Sequence, residues 1–154
     1  MTHPQEGRDS FVLIHIGDRR FAVAASFVAE LSPPVRLHRF PHTTSLVSGV
    51  IIRRGKIVPV CNASGIVGGR KSSANLFYLI ADGSVAESGE LLAIPVNGES
   101  ELVSGEIRPA ESTAPGYICG TLLAGEDSID VLDLSALAGA LEASSKSSRA
   151  EILS

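Results

Sequence analysis

The 154-residue chain has no tryptophan, one methionine and two cysteines, and only 5% of its residues are aromatic. Two cysteines, Cys61 and Cys119, do not make a disulfide framework, so packing has to hold the core and the chain reads as cytoplasmic. No apolar run approaches the ~18–20 residues of a membrane helix, and direct membrane insertion is not expected. The opening residues MTHPQEGRDS contain no signal-peptide core before Phe11. Basic excess is missing as well. The net charge of −4 argues against a nucleic-acid partner, which needs a cationic footprint. Phosphate-binding glycine loops are absent, so no nucleotide cofactor is implied.

Metal-ligand spacing is lacking too. The four histidines form no pair with Cys or Asp partners, and Pro41 prevents His38 and His42 from sharing a helical face. No metal site follows. Cys61 with His15, His38 or His42 as base is the one nucleophile on offer, a thiol hydrolase at most. Cys61 sits at the end of an apolar run, where a cysteine more often packs as a small hydrophobe. The chain is therefore read as not an enzyme.

What the chain does have is 44% hydrophobic residues arranged in short runs between glycine and proline. Phe11–Ile16 and Phe21–Ala24 read as a hairpin broken at Gly17-Asp18. Ser26 is placed to cap one or two helical turns carrying Phe27, Val28 and Leu31, ended by Pro33-Pro34. Leu37–Pro41 reads as extended. Gly49–Val60 (GVIIRRGKIVPV) is the strongest hairpin, with Gly55 supplying positive φ at its turn and Pro59 favouring an edge or bulge. Gly65–Arg70 reads as a loop. Strands are expected at Asn75–Ala81 and Glu90–Val96, joined through Asp82–Gly89, and at Tyr117–Leu123 and Ser128–Leu132. Leu134, Leu137, Ala138 and Leu141 have helical spacing, with Asp133 or Ser135 as cap. Residues 1–9 and 144–154 read as flexible tails around one domain at 10–143.

The chain also repeats itself. At an offset of 71 residues, Ala22 lies over Ala93, Glu30 over Glu101, Leu31 over Leu102, Gly49 over Gly120, Val60 over Val131 and Ser64 over Ser135. FVLI at Phe11 aligns with FYLI at Phe77 if the second copy carries five extra residues. Two halves of about five short strands follow. Each is too small for a core of its own, so they must bury surface against each other and leave a groove at their junction. Arg53, Arg54 and Lys56 are the one basic cluster. It reads either as a solvated hairpin tip or as a guanidinium held at a partner interface.

Phe11–Leu31, Gly49–Val60 and the closing VLDLSALAGAL together resemble the CheW-like adaptor domain of bacterial chemosensory systems. The most specific part is Gly49–Val60, with Val28-Ala29-Glu30-Leu31 upstream. The resemblance implies an all-β fold of two small five-stranded SH3-like β-barrels with a shared interface core and a short C-terminal helix. It implies a chemotaxis signal-transduction adaptor coupling the cytoplasmic tip of a chemoreceptor to the regulatory domain of a CheA-type histidine kinase. Receptor contacts would lie in the groove between the barrels and kinase contacts on their outer surfaces. By matching position, the receptor- or kinase-binding residues would be Val28, Glu30, Gly49, Arg54 and Gly55 in the first half and Glu99, Leu102 and Gly120 in the second. Arg54 would pair with Glu30, and Val28 with Leu102 would line the groove. The chain departs from the family pattern at Ile52-Arg53-Arg54-Gly55, at Cys61-Asn62-Ala63-Ser64 and at Val96-Asn97-Gly98-Glu99. These departures leave open a divergent system with surface-motility or second-messenger output.

Overall fold

The computed structural model describes residues 9–39, 47–62, 76–83, 91–98 and 100–141. Residues 1–8 and 144–154 of the expected tails, the Gly65–Arg70 loop, most of the Asp82–Gly89 connection, His42 and Glu99 lie outside the described residues, while Asp9, expected in the tail, already belongs to the first strand. Among the described residues ten strands run in chain order: β1 (Asp9–Ile16), β2 (Arg19–Ala24), β3 (Val28–Ser32), β4 (Val47–Arg53), β5 (Lys56–Cys61), β6 (Leu76–Ala81), β7 (Leu92–Asn97), β8 (Glu101–Pro109), β9 (Ile118–Ala124) and β10 (Asp127–Leu132). A 3-10 turn, Ala25–Phe27, precedes β3, and residues 134–141 form helix α1.

The strands make two five-stranded sheets that trade members. One closes into a barrel in the order β1-β2-β10-β9-β8; the other runs β3-β6-β7-β5-β4. Each sheet therefore takes the first two strands of one repeat and the last three of the other. The two halves are intertwined by this reciprocal exchange. The exchange follows the 71-residue repeat in register. The parallel junction of the first sheet is Val131 opposite Ala22, and that of the second is Val60 opposite Ala93. Those are two of the repeat's identities. Small alanines at both places are fully buried, where a larger side chain would force the crossing strands apart.

The first strands of the repeat align one residue away from the expected match. Leu13 pairs with Ala22, whereas Ile80 pairs with Ala93, so Ile80 and not Leu79 is the counterpart of Leu13. A one-residue slip moves every side chain to the opposite face. Identity in FVLI and FYLI is thus a coincidence of two apolar runs buried on both sides.

Three apolar clusters result among the described residues. Phe11, Leu13, Ala22, Leu122, Ile129 and Val131 fill the barrel. Ile51, Val58, Val60, Tyr78, Ile80 and Ala93 pack inside the second sheet. The largest cluster lies between the sheets. Val12, Ile14, Phe21 and Val23 meet Leu79, Ile94 and Val96 there, and Leu134, Leu137, Ala138 and Leu141 of α1 complete it. A fully buried Ile or Leu contributes about 1.5–3 kcal/mol, so the two sheets need this layer to stay folded. Asp133 starts α1. Its Oδ1 accepts from the Ala136 N–H at 3.1 Å, and its carbonyl accepts from the Leu137 N–H at 3.2 Å. Asn97 ties the sheets at another point, donating from Nδ2 to the Gly17 carbonyl at 2.6 Å.

Among the described residues only the first sheet closes by a backbone ladder; the second, expected as a barrel too, is an open five-stranded sheet there. The first sheet's β8 pairs with both β1 and β9. In the second sheet β3 and β4 are the two edges, and among the described residues the chain returns to β4 at His38 opposite Val50. Pro33-Pro34 explain the difference. Proline donates no backbone hydrogen bond, so β3 stops at Ser32 while its counterpart β8 runs on to Pro109. The helical turns expected after Ser26 shrink to the 3-10 turn, and Leu31 lies on β3.

Candidate functional site

The β4–β5 hairpin turns on Arg54 and Gly55, between Arg53 and Lys56, which are the last pair in register. Both turn residues have positive φ, 52° at Arg54 and 78° at Gly55. That is the signature of the two-residue turn whose twist suits a hairpin. Gly55 adopts it without cost and was expected there. Arg54 was not, because left-handed backbone opposes any side chain by about 1–2 kcal/mol.

Arg53 holds Glu30 most closely. Its Nε donates to Glu30 Oε1 at 2.7 Å, and its Nη2 donates to Oε2. This is a fork-to-fork pair, the arrangement a guanidinium makes best with a carboxylate. The Arg53 hydrogen bond is the main reason the Glu30 carboxyl is held below the usual carboxylate range, and the same bond raises the Arg53 guanidinium. Arg54 Nη2 comes no nearer than 3.8 Å to Glu30 Oε2, and its side chain is 80% exposed. The expected Arg54–Glu30 pair is present as an ion pair at 3.8 Å, and Arg53, which was not assigned to it, adds the closer hydrogen-bonded fork. The sequence held the signal in two adjacent arginines. In a strand that ends in a tight turn, only the one before the turn shares a face with the neighbouring edge.

The other expected residues divide between the sheets. Gly49 lies on β4, where an added Cβ would come within 2.4 Å of the His38 carbonyl oxygen. That space belongs to the crossing backbone, with His38 N–H to Val50 O at 2.8 Å and Val50 N–H to His38 O at 2.9 Å. Gly120 serves the same purpose on β9, with the Arg108 carbonyl oxygen 2.6 Å from an added Cβ. Close passage inside the chain accounts for both glycines. Val28 opens β3 opposite Ala81 and packs on the interlayer core. Leu102, on β8, faces solvent at 69% exposure. Val28 and Leu102 therefore sit in different sheets, whereas a shallow depression is lined by Leu31, Pro33, Phe77, Gly98 and Ser100. Leu31 and Phe77 give it an apolar floor that the sequence reading did not assign.

Cys61 is fully buried, and burial pushes its thiol up to about 12, far from a thiolate at neutral pH. The thiol-hydrolase alternative thereby loses its nucleophile. Among the described residues no three His, Cys, Asp or Glu side chains cluster to hold a metal ion, and no helix is long and apolar enough to cross a membrane.

Comparison with known proteins agrees with this geometry. No curated protein sequence matches the chain. The crystal structure of the scaffolding protein TtCheW from Thermoanaerobacter tengcongensis is similar at a TM-score of 0.74 and 20% identity, covering 88% of this chain and 89% of that one. That likeness is one of fold. The CheW-like domain model matches residues 10–142, nearly the whole chain. With two β-sheets exchanging strands around a common core and the hairpin motif in its place, the chain belongs to the CheW-like domain family.

Proposed function

We propose that the chain is a non-enzymatic chemosensory scaffold that couples the cytoplasmic tip of a chemoreceptor to the regulatory domain of a histidine kinase. The observation that carries the reading is the Glu30–Arg53 clasp. It fixes the β4–β5 hairpin against β3, the strand that carries exposed Leu31, and leaves the Arg54 side chain exposed. A receptor-tip helix would set apolar side chains on Leu31 and Phe77 and an acidic one on Arg54. Membership of the CheW-like family and the fold shared with a scaffolding protein support the role. Each contact of this kind is worth a few kcal/mol at most, which suits an array whose strength comes from many weak links. The replacement of the family's usual residues at Arg53 and at Cys61–Ser64 favours a divergent array, with surface-motility or second-messenger output, over swimming.

The test is binding of the purified chain to a receptor-tip fragment and to a kinase regulatory domain from the same cell. Both are expected to bind, and Arg54→Glu is expected to abolish receptor binding with the melting temperature nearly unchanged. Binding to neither partner overturns the coupling role. Unfolding of Arg54→Glu overturns the assignment of Arg54 to the surface.

A further inference from the structure

The duplication supplies an internal control for the surface. The hairpins β4–β5 and β9–β10 hold equivalent places in the repeat, so a difference between their outer faces is not demanded by the fold. In β9–β10, Leu122 and Ile129 point into the barrel, and the outward pairs are Leu123 opposite Ser128 and Thr121 opposite Asp130. In β4–β5, Ile51 and Val58 point inward, and the outward pairs are Ile52 opposite Ile57 and Val50 opposite Pro59. An isoleucine, a valine and a proline thus stand where the other half has a serine, a threonine and an aspartate. Ile52 and Ile57 are 54% and 71% exposed.

Cations flank this apolar strip. Arg54 and Lys56 stand at the turn next to the isoleucine pair, and both are exposed. On the β4 edge, His38 pairs antiparallel with Val50. Val35 and Leu37 pack on the sheet's inner cluster, so the exposed Arg36 between them faces outward, and the register from His38 brings it beside Ile52. In the other half the residue opposite Leu123 is Glu106, an acid where this half has a base. Among the described residues neither Arg36 nor Lys56 has an ion-pair partner.

We infer that the outer face of β4–β5 docks on an anionic lipid surface, Ile52 and Ile57 entering the headgroup layer while Arg36, Arg54 and Lys56 hold lipid phosphates. At 71% exposure Ile57 stands clear of its neighbours. A protein partner would have to meet such a protruding aliphatic with a fitted pocket, whereas a lipid surface accepts it as it is. Long arginine and lysine stems let the charges stay with the phosphates as the aliphatic groups sink below them. The outward residues of the strip are aliphatic, whereas a single-stranded nucleic-acid surface presents aromatic rings for bases to stack on. At physiological salt a charge is felt over about 8 Å, so the sign of this face, and not the chain's net charge of −4, decides the attraction. The contact stays within the headgroup layer and needs no membrane-spanning segment. It stands apart from the coupling role: the proposed receptor contact runs over Leu31 and Phe77, and Arg54 alone is common to both.

The test is co-sedimentation of the purified full chain with vesicles of phosphatidylglycerol and phosphatidylcholine in equal parts, against vesicles of phosphatidylcholine alone. Binding is expected to the mixed vesicles only, and to fall at about 0.5 M salt, where surface charges are screened. Arg36→Gln with Lys56→Gln is expected to weaken it about 25-fold, about fivefold per cation. Arg54 is left intact because the coupling role also uses it. Ile57→Ser, which installs the counterpart residue at an exposed site, is expected to weaken binding without changing charge. The chain has no tryptophan, so Ile57→Trp supplies a single reporter. Its emission is expected to move to shorter wavelength with the mixed vesicles and to stay unmoved with phosphatidylcholine. A wild-type chain that binds neither vesicle, or both equally, overturns the inference, and this comparison decides it even where a variant fails to fold. So does binding to the mixed vesicles with the tryptophan emission unmoved. A wild-type chain that ignores both vesicles but binds poly-glutamate through Arg36 and Lys56 also overturns it, and gives the face to an acidic protein.

Discussion

Glu30 and Arg53 clasp the two edge strands of the second sheet, β3 and β4, which no backbone ladder joins. In the first sheet the equivalent edges, β8 and β9, pair directly from Glu106 opposite Leu123 to Pro109 opposite Gly120. One side-chain fork and the His38–Val50 bridge do in one half of the molecule what four residues of ladder do in the other.

The clasp makes the second sheet's edges sensitive to acid. Glu30 titrates lower in the folded chain than in the unfolded one, chiefly through the Arg53 bond. The folded state therefore binds fewer protons there, and the stabilisation is present above the ordinary glutamate value of 4.5 and lost as pH falls below it through the folded value. Hydrogen exchange on β3 and β4 is expected to quicken over that acid range in the wild type. Glu30→Gln or Arg53→Met should quicken it already at neutral pH and remove the pH dependence, whereas Arg54→Met should do neither. Equal effects from Arg53 and Arg54 would mean that the two arginines share the carboxylate.

Arg54 stands in left-handed backbone with its side chain in solvent. Asparagine tolerates that conformation better, so Arg54→Asn is expected to raise stability by about 0.5–1 kcal/mol. The same substitution should weaken receptor-tip binding. Denaturant unfolding and a binding titration on one preparation would separate the effects. A gain in binding together with a gain in stability would show that the arginine is there for neither reason.

The architecture was legible in the sequence to the extent that burial wrote it there. Strands buried on both faces, such as β1, β6 and β7, announce themselves as unbroken apolar runs. The repeat announced the equivalence of Val60 with Val131 and Ala22 with Ala93, the very residues at the parallel junctions. β8 was not legible, since in ELVSGEIRP only Gly105 is buried and no alternation marks a face. The exchange of strands was hidden for a different reason: local pattern specifies which residues pair side by side, not which distant strand supplies the neighbour. At the candidate site the Glu30–Arg54 pairing and the turn at Gly55 were legible, and the closer bond from Arg53 was not, because it depends on which arginine precedes the turn.

Cys61 predicts an alkaline weakness. Its thiol ionises near 9 when exposed and about 12 when buried, so between those values the unfolded chain has lost a proton that the folded chain keeps. Stability must then fall as pH rises, by up to about 1.4 kcal/mol per pH unit from this group. Burial raises the Tyr78 hydroxyl as well, which adds to the slope in the same direction. Tyr78 is unchanged in Cys61→Ala, so the difference between the two proteins isolates the thiol. The variant is expected to be less stable at neutral pH and to lose less stability above pH 9 than the wild type. Parallel curves for the two proteins would place Cys61 in contact with solvent.

Pro33 and Pro34 align with Ser104 and Gly105, in the middle of the unbroken β8. Gly105 permits that strand to pass β9 closely, since an added Cβ there would lie 2.4 Å from the Leu123 carbonyl oxygen. If the prolines alone keep the second sheet open, importing the counterpart pair should close it. Pro33→Ser with Pro34→Gly restores two backbone donors and the freedom for close passage. Slowly exchanging amides are then expected at residues 34–37, continuing the ladder from β3 to the His38–Val50 bridge. The clasp becomes redundant in that background, so adding Arg53→Met should quicken exchange on β3 far less than it does in the wild type. Unprotected amides at 34–37 would mean that the side chains of the second sheet, and not its prolines, set the distance between β3 and β4. The Glu30–Arg53 pair would then be spanning a gap it did not need to fill.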